Sequence, residues 1–160
     1  MTIVYIGLGS NMDTPEQHIN SAIDSLNNLQ SSRLLKVSSL YKSKPVGPQN
    51  QDDYINAVAE LDTGLEALEL LDNLQKIEVE HGRNRSGERW GPRTLDLDIL
   101  IFGNKQIDNS RLNVPHREML KRAFVLVPLA EINPDCEIPG AGVVSDYIYK
   151  LDQDSLEKLR

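Results

Sequence analysis

The sequence predicts an α+β domain in which helices pack on an antiparallel β-sheet. Four segments have the apolar pattern of strands, and two have apolar residues at helical spacing. Their order is strand, helix, strand, strand, helix, strand, which is the ferredoxin-like βαββαβ arrangement with both helices on one face. At 160 residues the chain has the length of a single domain, residues 1–160, whose core needs no disulfide or metal to fold.

The first half of the chain begins with an apolar strand, Thr2–Leu8. A helix should follow, because Thr14 is a capping residue, Pro15 suits the first helical position and Gln17 stands three residues after the cap. Leu34–Tyr41 has the pattern of a second strand. The predicted helix buries a row of apolar residues: Ile19, Ala22, Ile23, Leu26 and Leu29.

The second half repeats this pattern with strand Tyr54–Leu61, a helix over about Leu65–His81 and strand Leu95–Phe102. Gly82 is placed to end the helix, since glycine readily takes the left-handed conformation found there. Additions to this core are predicted as strands at Gln106–Ile107 and Leu112–Val114 and helices at Glu118–Lys121, Val125–Ile132 and Val144–Leu151.

Charge and composition exclude several classes of protein. The chain has 24 acidic and 17 basic residues, a net charge of −7, whereas nucleic-acid binding needs an extended basic surface. A single cysteine, Cys136, excludes an intramolecular disulfide and is expected to be inert packing. The run Ile3–Leu8 is too short for a secretory signal, and no stretch has membrane-spanning length. We therefore expect a cytoplasmic monomer with no nucleic-acid or membrane partner.

The most informative segment is the strand entrance that contains Asp96 and Asp98. Side chains alternate along a strand, so these carboxylates share one face, about 6 to 7 Å apart at the backbone. Such a pair favours a cation between its members, and Mg²⁺ commonly takes one or two carboxylates together with phosphate oxygens. The alternative is a half-solvated edge strand, which is the commoner explanation for this pattern alone.

An arginine cluster precedes this strand: four arginines lie within eleven residues, interspersed with glycines. A charge run is usually a solvated face, but the planar guanidinium suits bidentate phosphate contacts. We interpret the cluster as a mobile loop that closes on phosphates. Its members are Arg83, Arg85, Arg89 and Arg93.

The segment Gly7-Leu8-Gly9-Ser10-Asn11 lies between the first strand and helix. It lacks the third glycine of a dinucleotide fingerprint, and the sequence has no Walker-type Gly-Lys-Ser/Thr. We interpret it as a tight turn at the end of the strand, so a nucleotide must be held by other residues.

The run Arg89-Trp90-Gly91-Pro92-Arg93-Thr94-Leu95-Asp96-Leu97-Asp98-Ile99 resembles the signature of the 6-hydroxymethyl-7,8-dihydropterin pyrophosphokinases. The resemblance covers nearly the whole chain. It implies diphosphate transfer from ATP, the co-substrate, to the hydroxymethyl group of the pterin, with release of AMP and with two Mg²⁺ ions on Asp96 and Asp98. It also includes Tyr5–Asn11, Pro45–Gln49, Asp53–Ala57, Val114–His116 and Arg122–Leu126.

For ATP, the resemblance implies that Arg83 and Arg93 are catalytic and hold the triphosphate, while Arg85 and Arg89 help to close the loop. On sequence alone, Gln75 and Glu78 are better explained as solvated helix residues, and His116 as a structural histidine. The resemblance instead places the following residues at the nucleotide: Leu71, Gln75, Glu78, Ile99, Arg111, His116 and Arg122.

For the pterin, the resemblance implies stacking between Tyr54 and Phe124, with Asn56 hydrogen-bonding to the ring edge. Without it, both aromatics are equally well explained as core. Ser43 and the backbone of Val46 would complete the pterin site, and Trp90 would cover it. The chain departs from the family pattern at Lys44, Asn113 and Arg117, which leaves the pterin loop and adenine contacts open.

Two other functions fit parts of the pattern. One is a non-catalytic ferredoxin-like module that binds a nucleotide or RNA, and the other is a metal-dependent glycosyltransferase with an Asp-x-Asp motif. The four-arginine cluster and the small size argue against the glycosyltransferase. The binding module is distinguished by assay, because only the enzyme would release AMP when the pterin is added.

Overall fold

The computed structural model describes residues 1–12, 14–44, 52–82, 94–151 and 156–159. In chain order the core elements are β1 (Thr2–Ser10), α1 (Pro15–Asn27), β2 (Ser32–Val37), β3 (Tyr41–Ser43), β4 (Tyr54–Thr63), α2 (Ala67–Glu80) and β5 (Asp96–Phe102). They are followed by β6 (Ile107–Asp108), β7 (Asn113–Val114), a 3₁₀ helix (Met119–Lys121), α3 (Ala123–Ile132), β8 (Glu137–Ile138), β9 (Gly142–Val143), α4 (Ser145–Ile148) and β10 (Leu156–Lys158).

The main sheet has the order β10-β3-β4-β1-β5, and β2 also pairs with β4. Every pair in it is antiparallel, so the predicted ferredoxin-like α+β core is confirmed. The predicted strand Leu34–Tyr41 was wrong in one respect, because it is two strands. Ser38 divides them: its hydroxyl accepts the Val58 N–H at 2.9 Å and donates to the Ser39 carbonyl at 2.8 Å.

Each face of the sheet packs against helices. On one face α1 and α2 bury residues such as Ile19, Leu26, Leu70 and Leu74 against the sheet. On the opposite face the 3₁₀ helix, α3 and α4 contribute a second cluster that includes Met119, Leu126 and Leu129. A fully buried side chain of this kind stabilises the fold by roughly 1.5–3 kcal/mol. The C-terminal additions therefore cover the face that the βαββαβ core leaves open.

Strand β5 contains a bulge at Leu100. Its neighbours pair with consecutive residues of β1, Ile99 with Ile6 and Ile101 with Tyr5, so Leu100 is the extra residue. Because a bulge shifts the alternation of side chains by one residue, Leu100 and Ile101 both pack with the α3 layer. Leu97 and Ile99 point to the α1/α2 layer, which leaves Asp96 and Asp98 on the other face.

The helix ends differ in part from the prediction. Helix α1 starts at Pro15 as expected, but Thr14 has φ 60° and makes no side-chain cap; its hydroxyl contacts Gln17 Oε1 at 3.3 Å. Gly82 has φ 83° after α2, as predicted for a helix stop. The predicted helix Val144–Leu151 is only the four-residue α4. No helix in the described ranges is long and apolar enough to cross a bilayer.

A buried polar cluster joins β1, β4 and the end of α3. The Tyr5 hydroxyl donates to Glu60 Oε1 at 2.7 Å, and Asn133 Nδ2 donates to the Tyr5 oxygen at 2.8 Å. Burial raises the pKa of the nearby Cys136 thiol to about 11. The thiolate is therefore scarce at neutral pH, which agrees with the predicted packing role.

Helices α1 and α2 are joined by a histidine pair, His18 and His81. Their Nδ1 atoms are 2.7 Å apart and their ring centroids are 5.0 Å apart, so the two nitrogens lie close to the line between the rings. One N–H donates to the other nitrogen. Only one proton fits between them, so the contact excludes two fully protonated rings.

This pair should make stability depend on pH. Burial, and then the charge of His18, lower the pKa of His81, while Glu80 opposes the shift. The folded state then binds fewer protons than the unfolded chain, so the contribution is present above the unfolded pKa of about 6.5 and is lost below it. We expect the melting temperature to fall more steeply between pH 7.5 and 5.5 in the wild type than in His18→Asn/His81→Asn. His116→Asn, a change of the third histidine, should keep the wild-type slope; a flat wild-type profile would contradict the assignment.

Candidate active site

Two adjoining pockets lie where β1, β4 and β5 meet the start of α3 and the end of α2. We call them the sheet pocket, over the α3 face of the sheet, and the helix pocket, between α2 and β5. The sheet pocket is a partly open cleft lined by residues of β1, β4, β5 and α3, the kind of concave site in which small molecules bind. Asp98 and His116 line both pockets, so a molecule in one would meet a molecule in the other at these residues.

The floor of the sheet pocket consists of two carboxylates, each opposite a glycine. Asp96 pairs with Gly9 and Asp98 pairs with Gly7 across β1 and β5, and all four line the pocket. The shared face predicted for the two carboxylates is confirmed. The predicted tight turn at Gly7–Asn11 is wrong, because β1 continues to Ser10.

The two glycines are pocket residues that the sequence interpretation missed. A Cβ on Gly7 would lie 3.3 Å from Leu100 Cδ2, and one on Gly9 would lie 3.5 Å from Asn56 Oδ1. Side chains here would take up space beside the carboxylates. The signal was present in the sequence: glycines two residues apart in a strand share one face.

The walls of the sheet pocket hold the residues predicted for the pterin. Asn56 is 4% exposed, and its Nδ2 donates to Ser43 Oγ at 2.7 Å. Tyr54, at the start of β4, and Phe124, in the first turn of α3, are both half-buried and line the pocket. The Arg122 guanidinium carbon lies 5.5 Å from the Phe124 ring centroid, a cation–π distance.

The helix pocket collects most residues predicted for the nucleotide. Arg111 lies at its rim and contacts Asp72 Oδ1 at 2.5 Å. Arg122 lies in the sheet pocket instead. Two residues that depart from the family pattern, Arg117 and Asn113, also line the helix pocket and bond to each other at 3.0 Å. The predicted residues that line it are Leu71, Gln75, Glu78, Ile99, Arg111 and His116.

Glu78 is not the solvated helix residue that its sequence position indicates. It is 2% exposed, and its Oε2 accepts the backbone N–H of Leu97 at 2.8 Å. Leu97 stands between Asp96 and Asp98. The carboxylate of α2 therefore contacts the main chain of the strand that carries both acidic residues.

Several predicted site residues lie outside the described part of the chain. They are Arg83, Arg85, Arg89, Trp90 and Arg93 of the arginine cluster, together with Val46. Their roles remain predictions from the sequence.

The donor set in the pocket fits magnesium. Asp96 is half-buried and Asp98 is exposed, so both carboxylates combine a fixed backbone with access to a ligand. Carboxylate oxygens are hard donors that suit Mg²⁺ rather than softer metals, and such a site leaves room for phosphate oxygens and water.

Known proteins match this chain over most of its length. Residues 5–134 match the family described as 7,8-dihydro-6-hydroxymethylpterin-pyrophosphokinase (HPPK). The 2-amino-4-hydroxy-6-hydroxymethyldihydropteridine pyrophosphokinase of Haemophilus influenzae is 47% identical over 159 residues, covering 99% of each chain. The protein of the same name from Pseudomonas aeruginosa is 48% identical over 156 residues, covering 98% of this chain and 96% of its own.

Solved structures agree on the fold. A crystal structure of HPPK-DHPS in complex with substrates has a TM-score of 0.72 at 12% identity and covers 93% of this chain. The wild-type Plasmodium falciparum HPPK-DHPS with pteroate has a TM-score of 0.71 at 13% identity and also covers 93%. This chain spans 43% and 42% of those two chains, so the likeness concerns one part of each.

Proposed function

The chain belongs to the 7,8-dihydro-6-hydroxymethylpterin-pyrophosphokinase family, and from this premise we propose how its residues divide the work of the reaction. It transfers diphosphate from ATP to the hydroxymethyl group of 6-hydroxymethyl-7,8-dihydropterin and releases AMP, a step of folate biosynthesis. The observation that carries the proposal is the pair of pockets that share Asp98 and His116. The non-catalytic binding module is not favoured.

The pterin occupies the sheet pocket in this proposal. Tyr54 and Phe124 offer aromatic faces for the flat ring. Asn56 uses one amide hydrogen on Ser43, which fixes the amide and leaves Oδ1 to accept a hydrogen bond from the ring edge. The burial of Asn56 supports this role, because a buried amide with a fixed orientation discriminates among ligands far better than an exposed one.

ATP occupies the helix pocket. Leu71 and Ile99 are buried apolar residues that provide a surface for the adenine, and Gln75 provides a polar group beside it. Arg111 and His116, which also line this pocket, would bind the triphosphate. Arg122 lies on the sheet-pocket side, where its charge can act on the diphosphate as it transfers.

Asp96 and Asp98 would hold two Mg²⁺ ions between the pockets. When bound, magnesium supplies positive charge to the triphosphate and lowers the pKa of the hydroxyl. Both carboxylates line the sheet pocket and Asp98 also lines the helix pocket, so they would hold the ions on one face of β5 within reach of both substrates. From the family resemblance, Arg83 and Arg93 hold the transferring group, and Arg85, Arg89 and Trp90 close over it.

A direct assay tests the whole proposal. AMP should appear from ATP only when the pterin alcohol and Mg²⁺ are both present, and chelation should stop its release. AMP release without the pterin would indicate simple ATP hydrolysis, and magnesium-independent transfer would rule out the role of the Asp pair.

We also propose that residues 1–160 act as one domain and as a cytoplasmic monomer. Size-exclusion chromatography with light scattering tests the oligomeric state.

Gly7 provides a milder test of the sheet pocket. In Gly7→Ala the new methyl group would lie beside Asp98 and 3.3 Å from Leu100 Cδ2, so we expect the KM for the pterin to rise several-fold, about 1 kcal/mol of lost binding. The KM for ATP should stay the same. Gly7→Ala/Leu100→Val removes both Leu100 Cδ atoms, the nearer of which is 3.3 Å from the new methyl group, but keeps that methyl group. Recovery of the pterin KM in this double variant would mean that crowding of Leu100, not occupation of the pocket, caused the loss.

A further inference from the structure

The edge of β5 that faces away from β1 forms hydrogen bonds with groups outside the sheet. In the part of the chain that the structure describes, β5 pairs with β1 on one side and with no strand on the other. Alternate N–H and C=O groups of such an edge need other partners. Glu78 Oε2 accepts from the Leu97 N–H at 2.8 Å, and the Leu100 carbonyl accepts from the His116 N–H at 2.9 Å.

The first of these contacts falls at the centre of the proposed metal site. Leu97 is the one residue between Asp96 and Asp98. The position of its main chain therefore fixes the Cα atoms from which both carboxylate side chains extend. Glu78 is 2% exposed and comes from α2, which is packed independently through Leu74 and Ile77. The hydrogen bond therefore fixes the main chain of β5 at Leu97 relative to α2.

A buried carboxylate needs compensating interactions, and the Leu97 N–H supplies one of them to Glu78. Burial of an ionised side chain is unfavourable unless hydrogen bonds and charges compensate it. A hydrogen bond from an N–H to a charged acceptor is about twice as strong as a neutral one. The hydrogen bond that Glu78 accepts is therefore a strong constraint on the main chain at Leu97.

We infer that Glu78 is a positioning residue for the metal-binding pair: through the Leu97 N–H it sets the spacing and direction of Asp96 and Asp98. The inference rests on the proposed role of these two carboxylates. It assigns to Glu78 an action on the strand, whereas the family resemblance places it at the nucleotide. The two roles differ in what a glutamine would do, because its Oε1 can still accept the Leu97 N–H.

Magnesium titrations of activity separate these roles. In Glu78→Ala we expect the Mg²⁺ concentration for half-maximal activity to rise about tenfold or more, as for other residues that orient metal ligands. Glu78→Gln should stay within about threefold of the wild type on the same reasoning. Glu80→Ala, a change of an exposed glutamate in the same helix, should behave as the wild type. If Glu78→Gln is as impaired as Glu78→Ala, charge rather than positioning is responsible and the inference fails.

Hydrogen exchange of the Leu97 amide gives a readout without substrates or metal. The amide should be protected in the wild type and in Glu78→Gln and should exchange faster in Glu78→Ala; equal protection in all three would overturn the inference. Should Glu78→Ala not fold, Glu78→Met fills the same volume without an acceptor and replaces it. Asp98→Ala is measured in parallel. If Asp98→Ala keeps the wild-type magnesium dependence, the proposed metal site is wrong, whereas normal titration of Glu78→Ala alone rejects only the positioning role.

Discussion

Replacing either carboxylate of the pair, in Asp96→Ala or Asp98→Ala, should lower kcat by about 10³-fold or more at saturating Mg²⁺. A metal ion contributes several kcal/mol of charge stabilisation in the transition state, and each 1.4 kcal/mol is a factor of ten in rate. Both residues line the sheet pocket, and Asp98 also lines the helix pocket. The loss should therefore appear in the chemical step, which single-turnover measurements of AMP release would detect.

The same substitutions should leave the fold intact. In the absence of metal, two carboxylates on one strand face repel each other, so removing one should keep the melting temperature near or above the wild-type value. Asp24→Ala, a change of an exposed carboxylate on α1, is the control and should leave kcat unchanged. A near-normal rate in either pocket variant would show that the metal assignment is wrong.

Asn56→Ala should raise the KM for the pterin by roughly 10²-fold, because loss of a hydrogen bond in a desolvated site costs up to about 3 kcal/mol. The residue is buried and has a fixed orientation through Ser43, so its truncation removes a hydrogen-bonding group that is already positioned for the ring edge. The KM for ATP should change little, since Asn56 lines only the sheet pocket among the two. Calorimetric titration with the pterin measures the binding loss directly.

Ser43→Ala tests how much the orientation of the Asn56 amide contributes to pterin binding. It removes the acceptor for Asn56 Nδ2 but keeps the amide, so the pterin KM should rise less than in Asn56→Ala. If the two variants are reversed in order, Ser43 rather than Asn56 makes the main contact with the ring. If both change the KM for ATP instead, the two pockets have been assigned to the wrong substrates.

The elements that could be predicted from the sequence are those that depend only on a local side-chain pattern. The order of the core strands and helices, the start of α1 at Pro15, the end of α2 before Gly82 and the common face of Asp96 and Asp98 all follow from periodicity and turn chemistry. The division of Leu34–Tyr41 did not, because it depends on a hydrogen bond between Ser38 and the distant Val58.

The site could be anticipated only where residue types are distinctive. Asp96, Asp98 and the arginine cluster stand out in an acidic chain, whereas the pattern at Gly7 and Gly9 predicts a turn, because a residue whose role is to leave space has no distinctive side chain. Glu78 was equally hidden. A glutamate on an amphipathic helix is normally solvated, and its burial depends on the distance between α2 and the edge of β5, which no local pattern contains.

The bulge at Leu100 divides β5 into two parts in which substitutions have different effects. Before it, the face toward α3 belongs to ligands, so substitutions at Asp96 and Asp98 can alter chemistry without disturbing packing. After it, Leu100 and Ile101 serve the core between the sheet and α3, where substitutions affect folding. On this face of β5, selection on catalysis therefore acts on Asp96 and Asp98 and selection on stability acts on Ile101, whereas Leu100, which also lines the sheet pocket, is subject to both.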